Sequence, residues 1–392
     1  MGGVPLHTAS LMADIQDGML DIRIAEIGTF AIYLVDVALL MLLVGLKTAH
    51  RRRVLDHDRR RQEYLGVLSR HVSYEDCTDP ITARMAEDPA FLDALIDVRE
   101  VLSGHELTNL ESIVAEHGVS ARLMRRLASR FPLGRRLRAA VALAEIGDKS
   151  MAPAMIHHLS DREADIRIEC ARGLARLKWT AAIDDIVARF AIEETPVRAR
   201  FADSLVGFGT SATWPLLAYV RVNHRSEDAG PALALRTVGR LRDLAAADPI
   251  HQILEESPSL ELTIAAIEAL GNIASPHTAR RLQPLIQDDR WQVRAKAATA
   301  LGQLSEPSSA PHLSAALRDA NFWVRRNAAA ALAQIPTGID ALYDALDGED
   351  PFAADAAAEA LADSGELVAA RRRVNAGASA DEPLLAHMES ES

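Results

Sequence analysis

Residues 293–304 read VRAKAATALGQL, and 31 residues later residues 324–335 read VRRNAAAALAQI. Nothing else in the chain restricts its fold as strongly. A fixed period in which Val-Arg opens an Ala-rich amphipathic stretch marks stacked helical units that pack mainly on their neighbours. One anchor traces the period, the leucine of Ala-Leu-Gly-x-Leu or its equivalent. It falls at Leu143, Leu174, Leu205, Val238, Leu270, Leu301, Leu332 and Leu361, with spacings of 31, 31, 33, 32, 31, 31 and 29. A second anchor follows twelve residues on, at Met155, Ile186, Leu217, Ile250, Leu282 and Leu313. An apolar residue stands four further along, at Leu159, Phe190, Leu254, Ile286 and Leu317. Spacing of i, i+4 puts each pair on one helix face. Each unit is therefore two helices, and the constant period argues against a chance Ala-rich bundle.

Local signals agree with that period. Pro153, Pro215 and Pro311 fall ten residues after an anchor, where a helix would begin and a missing N–H is harmless. Asp161, Asp288, Asp289 and Asp319 precede the second helix of their units, placed to accept from free N–H groups. Aromatics are 4% and hydrophobic residues 49%, so the core is built of Leu, Ile, Val and Ala. Two cysteines, Cys77 and Cys170, leave no disulfide framework.

These motifs resemble the short form of the HEAT repeat. The resemblance implies an all-α fold, a right-handed α-solenoid of about eight HEAT-like two-helix repeats. In such repeats an arginine of the Val-Arg type pairs with an aspartate of the next unit. Arg167, Arg198, Arg294 and Arg325 recur at the period and are expected to be structural rather than catalytic. The pattern lapses at 230–231 and 262–263, and the 33-residue spacing falls in the same stretch. A kink or shallow groove is expected near 221–263, as a candidate binding site.

The N-terminus suggests a setting. Residues 27–46 read IGTFAIYLVDVALLMLLVGL, twenty residues with one charge. About twenty helical residues cross a bilayer core of roughly 30 Å, so one transmembrane helix is expected ahead of the repeats. Asp36 in mid-span costs about 3 kcal/mol, offset by the surrounding Leu, Ile, Val and Phe. It either contacts a partner within the membrane or is merely tolerated. Residues 1–26 lack a basic leader and no small-residue cleavage site follows the apolar run, so a cleavable signal peptide of the usual kind is not expected. Asp14, Asp17, Asp21 and Glu26 precede the span, whereas Lys47, Arg51, Arg52, Arg53, Arg59, Arg60 and Arg61 follow it. The positive-inside rule then directs the N-terminus out and the solenoid into the cytoplasm, at the inner membrane of the cell. The arginine cluster reads as a basic collar for anionic lipid head groups. Nucleic acid is the competing partner, disfavoured by a net charge of −12.

The expected layout is an extracytoplasmic segment at 1–26, the span at 27–46, a basic helix and helical cap at 47–125, repeats at 126–375 and a disordered acidic tail at 376–392. Within 47–125, residues 73–90 read as a turn-rich linker. Ser103 and Glu106 have capping-box spacing, opening a helix through Glu116 that Gly118 ends. The basic stretch RLMRRLASRFPLGRRLR at 122–138 reads as the outer face of a capping repeat.

The chain carries no phosphate-binding loop, dinucleotide fingerprint, nucleophile elbow or HExxH motif. His157 and His158 are adjacent, without the i, i+4 spacing one metal needs. The expectation is a non-catalytic, membrane-anchored adaptor that binds a protein partner and needs no cofactor. The layout also resembles bacterial HEAT proteins that occur with membrane glycosyltransferases of polysaccharide export, implying an accessory subunit. Short repeats of this kind also resemble phycobilisome bilin lyases, an enzymatic alternative against which the anchor argues, since those are soluble.

Overall fold

The computed structural model describes residues 6–73, 85, 88–128, 130–147, 149–256, 259–375 and 385; the side chains of 6–34, 111, 367 and 375 lie outside the described set. The chain divides into two compact units, Met1–His117 and Gly118–Ser392. Every regular element among the described residues is helical.

Unit 1 holds helices α1 (Leu6–Ser73), α2 (Pro89–Val101) and α3 (His105–Glu116). Asp88 starts α2 by accepting from the Ala90 N–H, with Pro89 at the first turn, where its lost donor is an orphan anyway. Leu68 and Val72 of α1 are buried, as are Phe91, Leu95 and Val98 of α2. Tyr64 meets Phe91 edge-on at 5.5 Å and donates its hydroxyl to Asp88. Asn109 of α3 donates to the Val72 carbonyl. The expected Ser103–Glu106 box does not form: α3 is capped by Gly104 at φ 59°, without a side-chain bond. The left-handed conformation there excludes the extended backbone a serine cap uses.

Among the described residues no helix is long and apolar enough to cross a membrane. Residues 27–34, the first eight of the expected span, lie outside the described side chains, and so do the side chains of the expected N-terminal segment. Most of the linker read at 73–90 and almost all of the acidic tail at 376–392 are likewise outside the described residues.

Unit 2 is a succession of helix pairs: α4 (Val119–Leu127) with α5 (Leu133–Ile146), α6 (Ala152–His158) with α7 (Ala164–Arg176), and α8 (Ile183–Ile192) with α9 (Thr195–Val206). Then come α10 (Thr213–Asn223) with α11 (Gly230–Leu241), α12 (Ala247–Glu256) with α13 (Leu260–Ile273), and α14 (Thr278–Leu282) with α15 (Trp291–Leu304). The last pairs are α16 (Ala310–Ala316) with α17 (Phe322–Leu332) and α18 (Gly338–Leu346) with α19 (Pro351–Asp363), followed by α20 (Glu366–Asn375). The eight anchors sit one on each second helix, and all are 0–1% exposed. The second-anchor series is also buried, with one shift: Ile253, not Leu254, turns inward on α12.

Helical geometry explains how the units stack. Residues one before and one after an anchor lie about 100° to either side of it, facing the neighbouring second helices. Those positions are Gly, Ala or Ser except at Val206 and Thr237. A Cβ on Gly239 would lie 2.7 Å from the Ala269 Cα, and one on Gly302 would lie 2.7 Å from both Cα and Cβ of Ala331. Gly173 faces Ala144 in the same way, at 2.8 Å. Second helices thus approach with almost no side chain between them, and leucines before and behind fill the core.

Candidate interaction surface

The recurring arginine stands seven residues before its anchor, two helical turns away, and so lies on the inward stripe. Arg167 donates to the carbonyls of Asp161 and Arg162 in its own unit. It also makes a two-pronged pair with Glu193, at 2.7 and 2.5 Å. Arg198 donates to the Phe190 carbonyl and to Asp228 at 2.7 Å. Arg294 donates to the carbonyls of Asp288 and Asp289 and forks onto Asp319 at 2.7 and 2.9 Å. Arg325 donates to the carbonyls of Asp319 and Ala320, and its guanidinium lies 5.0 Å from the Phe352 ring centre. Three of the four guanidiniums thus satisfy carbonyls of the linker inside their own unit, and Arg198 one in the last turn of α8; three of the four also bind a carboxylate of the following unit.

Arg136, seven before Leu143, belongs to the same series and is 1% exposed. It donates to the Leu127 carbonyl and pairs with Asp161. The reading of 122–138 as an outer face is thus corrected at this residue: register with the anchor turns it inward. Its 31-residue distance from Arg167 was the available signal. The loop aspartates do not cap the second helices directly. Asp161, Asp288 and Asp319 accept from the N–H two residues on. Burial works against ionising Asp319, but Arg294 and the Asn321 N–H outweigh it and hold its carboxyl below the usual range. Asp161 is held low in the same sense, by the Glu163 N–H and Arg136 against its burial.

The opposite stripe of the second helices faces out. Positions nine, five and two before the anchor and two after it cluster there. From α5 to α15 this stripe carries ion pairs between successive units: Arg172 with Glu145, Arg200 with Asp165, Arg240 with Asp203, and Glu268 with Arg236 and Lys296; Arg172 also pairs with Glu169 on its own helix. A cavity of about 550 Å³ lies along it between α7 and α9, lined by Arg172, Arg200 and Asp203 among others. Arg172, Arg200 and Asp203 are each held by the ion pairs just described, and Lys178 donates to the Gly207 carbonyl. Further along, the stripe turns uncharged at Thr299, Gln303, Asn327, Ala330 and Gln334. Aromatic rings appear at its rim. Trp323 and Phe352, nine before their anchors, are 49% and 61% exposed. Trp291 and Phe322, ten before theirs, flank the stripe at 38% and 51%.

A second cavity, of about 680 Å³, opens among the loops beside α15 and α16, lined by Asp288, Asp289, Arg294, His312 and Asp319. Neither cavity lies in residues 221–263, where a groove was expected. There α11 packs against both α9 and α13, and the stretch before it is secured by the Arg198–Asp228 pair. Thr263 fills an arginine position by donating to the Ser259 carbonyl.

The basic collar of unit 1 is partly engaged. Arg61 forks onto Asp97 at 2.6 Å, Arg60 bonds Asp88 at 2.8 Å, and Arg59 pairs with Glu63 at 3.3 Å. Arg51, Arg52 and Arg53 are exposed. Arg60 and Arg61 thus answer Asp88 and Asp97, whereas Arg59, 74% exposed, pairs only with Glu63 on its own helix. Asp36 is exposed, among exposed apolar neighbours.

Residues 247–333 and 279–362 match the family of HEAT repeats. No curated protein matches the chain. Among solved structures, an engineered protein is similar at 19% identity, covering 82% of this chain and 98% of that one, with a TM-score of 0.35. The CpcE–CpcF complex of phycocyanin lyase from Nostoc is similar at 21% identity, covering 67% and 98%, with a TM-score of 0.33. Kap121p is similar at 14% identity, covering 76% of this chain but 45% of its own, with a TM-score of 0.39.

Proposed function

We propose that the chain is a membrane-anchored adaptor whose repeats hold a protein partner at the inner, cytoplasmic face of the membrane. The observation that carries this reading is the apolar surface of α1. Val35, Leu39, Leu40, Met41, Leu42, Leu43, Val44 and Leu46 are each 53–71% exposed, on all sides of one helix. Covering a half-exposed side chain of this size gains about 1 kcal/mol, so the eight together favour an apolar environment by roughly 8 kcal/mol, against about 3 kcal/mol for Asp36. Lipid can surround a helix completely, and a continuous helix meets its own backbone needs there. With residues 27–34 the stretch reaches the length of a single span, N-terminus out. Arg51, Arg52 and Arg53 follow within two turns, placed for anionic head groups at about 1 kcal/mol each. His57, which contacts Asp93 of α2 at 2.8 Å, lies eleven residues beyond Leu46, about 16 Å along the helix. Unit 1 then forms close to the membrane surface.

The adaptor half of the reading draws on the repeats. Their arginines are consumed in holding units together, and their outward stripe is a long ordered surface. Crosslinked affinity purification of the full chain from membranes in mild detergent tests both halves. The expected result is carbonate-resistant membrane association and a discrete co-purifying protein. Release by carbonate would sink the anchor. Recovery of no partner, or of soluble nucleic-acid-binding proteins alone, would sink the adaptor.

A further inference from the structure

The aromatic rim of the outward stripe is the part of the surface that packing within the chain leaves unexplained. The chain has four Trp and eight Phe. Four of these twelve stand at one register, the start of α15, α17 and α19, and all are exposed. At the same register the other five second helices carry Leu133 and Gly134, Ala164 and Asp165, Thr195 and Pro196, Asp228 and Ala229, and Leu260 and Glu261. The rim is thus confined to the last three units. Exposed large apolar groups gathered in one place mark a contact surface more often than scattered ones do.

What the rim contacts follows from its charge. Residues 336–366 contain nine acidic residues and no basic one. Asp340, Asp344, Asp347, Glu349 and Asp363 are exposed and make no ion pair among the described residues. The rings, moreover, already hold guanidinium groups. Arg325 covers one face of Phe352 at 5.0 Å and Arg326 approaches Trp323 at 5.9 Å, the latter fixed by Glu359 at 3.0 Å. The exposed faces remain open to the same chemistry from outside, since a ring's quadrupole attracts a cation over its face. Behind the rim, Asn327, Gln303 and Gln334 carry amides rather than charges; Asn327 and Gln334 donate to the Ala295 and Ala330 carbonyls, which leaves their amide oxygens to accept from the main chain of an extended segment.

We infer that the surface formed by Trp323, Phe352, Phe322 and Trp291, with the acidic last repeat beside it, docks an arginine- or lysine-rich segment of a partner protein. This rests on the adaptor reading and adds the chemistry of the partner. Stacking on the rings supplies register, and the surrounding carboxylates supply attraction and a fast encounter. Anionic lipid and nucleic acid are repelled by the same carboxylates.

Fluorescence anisotropy of a labelled peptide of alternating Arg and Ser, with full-length protein in mild nonionic detergent, tests it. Counterparts carry Gln or Glu in place of every Arg. The Arg peptide binds and the others do not, and binding weakens as salt rises. Trp323→Ser and Phe352→Ser each weaken binding about fivefold, with helical ellipticity unchanged because both side chains are largely outside the core. Trp214→Ser, at an exposed aromatic on α10, leaves binding as it was. Equal binding of the Gln peptide, or full binding in both ring variants, overturns the proposal. So does binding to anionic vesicles that the ring variants lose. If the Arg peptide fails to bind while a membrane protein still crosslinks elsewhere on the repeats, this inference falls and the adaptor reading stands. Failure to capture any partner removes the adaptor reading itself.

Discussion

Replacing Gly302 by alanine should destabilise the protein, although the same change in an open helix would stabilise it. In a helix interior alanine is favoured over glycine by about 1 kcal/mol. At Gly302 the new methyl would sit 2.7 Å from both Cα and Cβ of Ala331 on the neighbouring second helix. Neither atom is the end of a flexible side chain, so α15 and α17 must move apart. Overpacking of that kind costs about 1–3 kcal/mol, and separating the helices also loosens the contacts of Leu301 and Leu332, both fully buried. The net expectation is a loss of about 1–2 kcal/mol. Gly134→Ala is the control, because nothing lies within 4 Å of its added methyl, and it should be neutral or gain up to about 0.5 kcal/mol. Urea unfolding of both variants by circular dichroism at 222 nm reads the difference. The midpoint falls for Gly302→Ala and holds for Gly134→Ala. A Gly302 variant as stable as its control would refute the account of how the units stack.

Three further outcomes follow from the buried groups. Arg294→Met strips Asp319 of its guanidinium and leaves the Asp288 and Asp289 carbonyls without it, costing about 2–4 kcal/mol; Arg281→Met, whose partners Asp248 and Glu255 are exposed, costs under about 1 kcal/mol. Equal losses in thermal melts would remove the arginine series from the framework. His251 is 3% exposed, and burial, reinforced by Arg281, lowers its pKa to about 4. The unfolded chain binds the proton near 6.5, so this stabilisation is complete above that pH and is lost as pH falls toward 4, by roughly 3 kcal/mol in all. His251→Leu should flatten the fall in Tm between pH 7 and 4.5. The carboxylates of Asp161, Asp228 and Asp319 are held low, so their loss falls mainly below that window, and His158, also lowered by burial, keeps a residual slope in the variant; an unchanged slope would assign the effect elsewhere. Cys170 is buried, and burial beside Asp161 and Glu169 pushes its thiol up to about 12. With Cys77 replaced by serine, its alkylation in native protein should be at least about a hundredfold slower than in urea, and comparable rates would contradict the burial.

What the sequence disclosed and what it withheld divide along physical lines. Helix pairing was legible because each anchor must face inward once per unit, which prints a period on the chain. Arginines in step with the anchors were equally legible, and Arg136 was overlooked only because it sits among exposed arginines in a basic run. Their partners were less so. Asp161, Glu193 and Asp319 follow their arginines by 25, 26 and 25 residues, but Asp228 follows by 30, and Glu193 is not the aspartate the repeat pattern calls for. Arg60 and Arg61 looked like a lipid collar because the acids that answer them, Asp88 and Asp97, arrive only when α2 folds back on α1. The capping box at Ser103 failed because a left-handed glycine intervened. At 221–263, where a groove was expected, the longer loop is absorbed without breaking the contact of α11 with α9 and α13. Exposure of Trp323 and Phe352 could not be read from the chain at all: in a repeat otherwise poor in aromatics, those residues look like core.

Site-specific photocrosslinking in intact membranes tests the central claim most directly. A photoreactive residue replaces Gln334, on the outward stripe, or Arg280, exposed on a first helix. The account predicts a discrete protein adduct in the membrane fraction from position 334 and none from position 280. No adduct from either position, an adduct from 280 alone, or adducts confined to soluble proteins would contradict a membrane-held adaptor that grips its partner along the second helices.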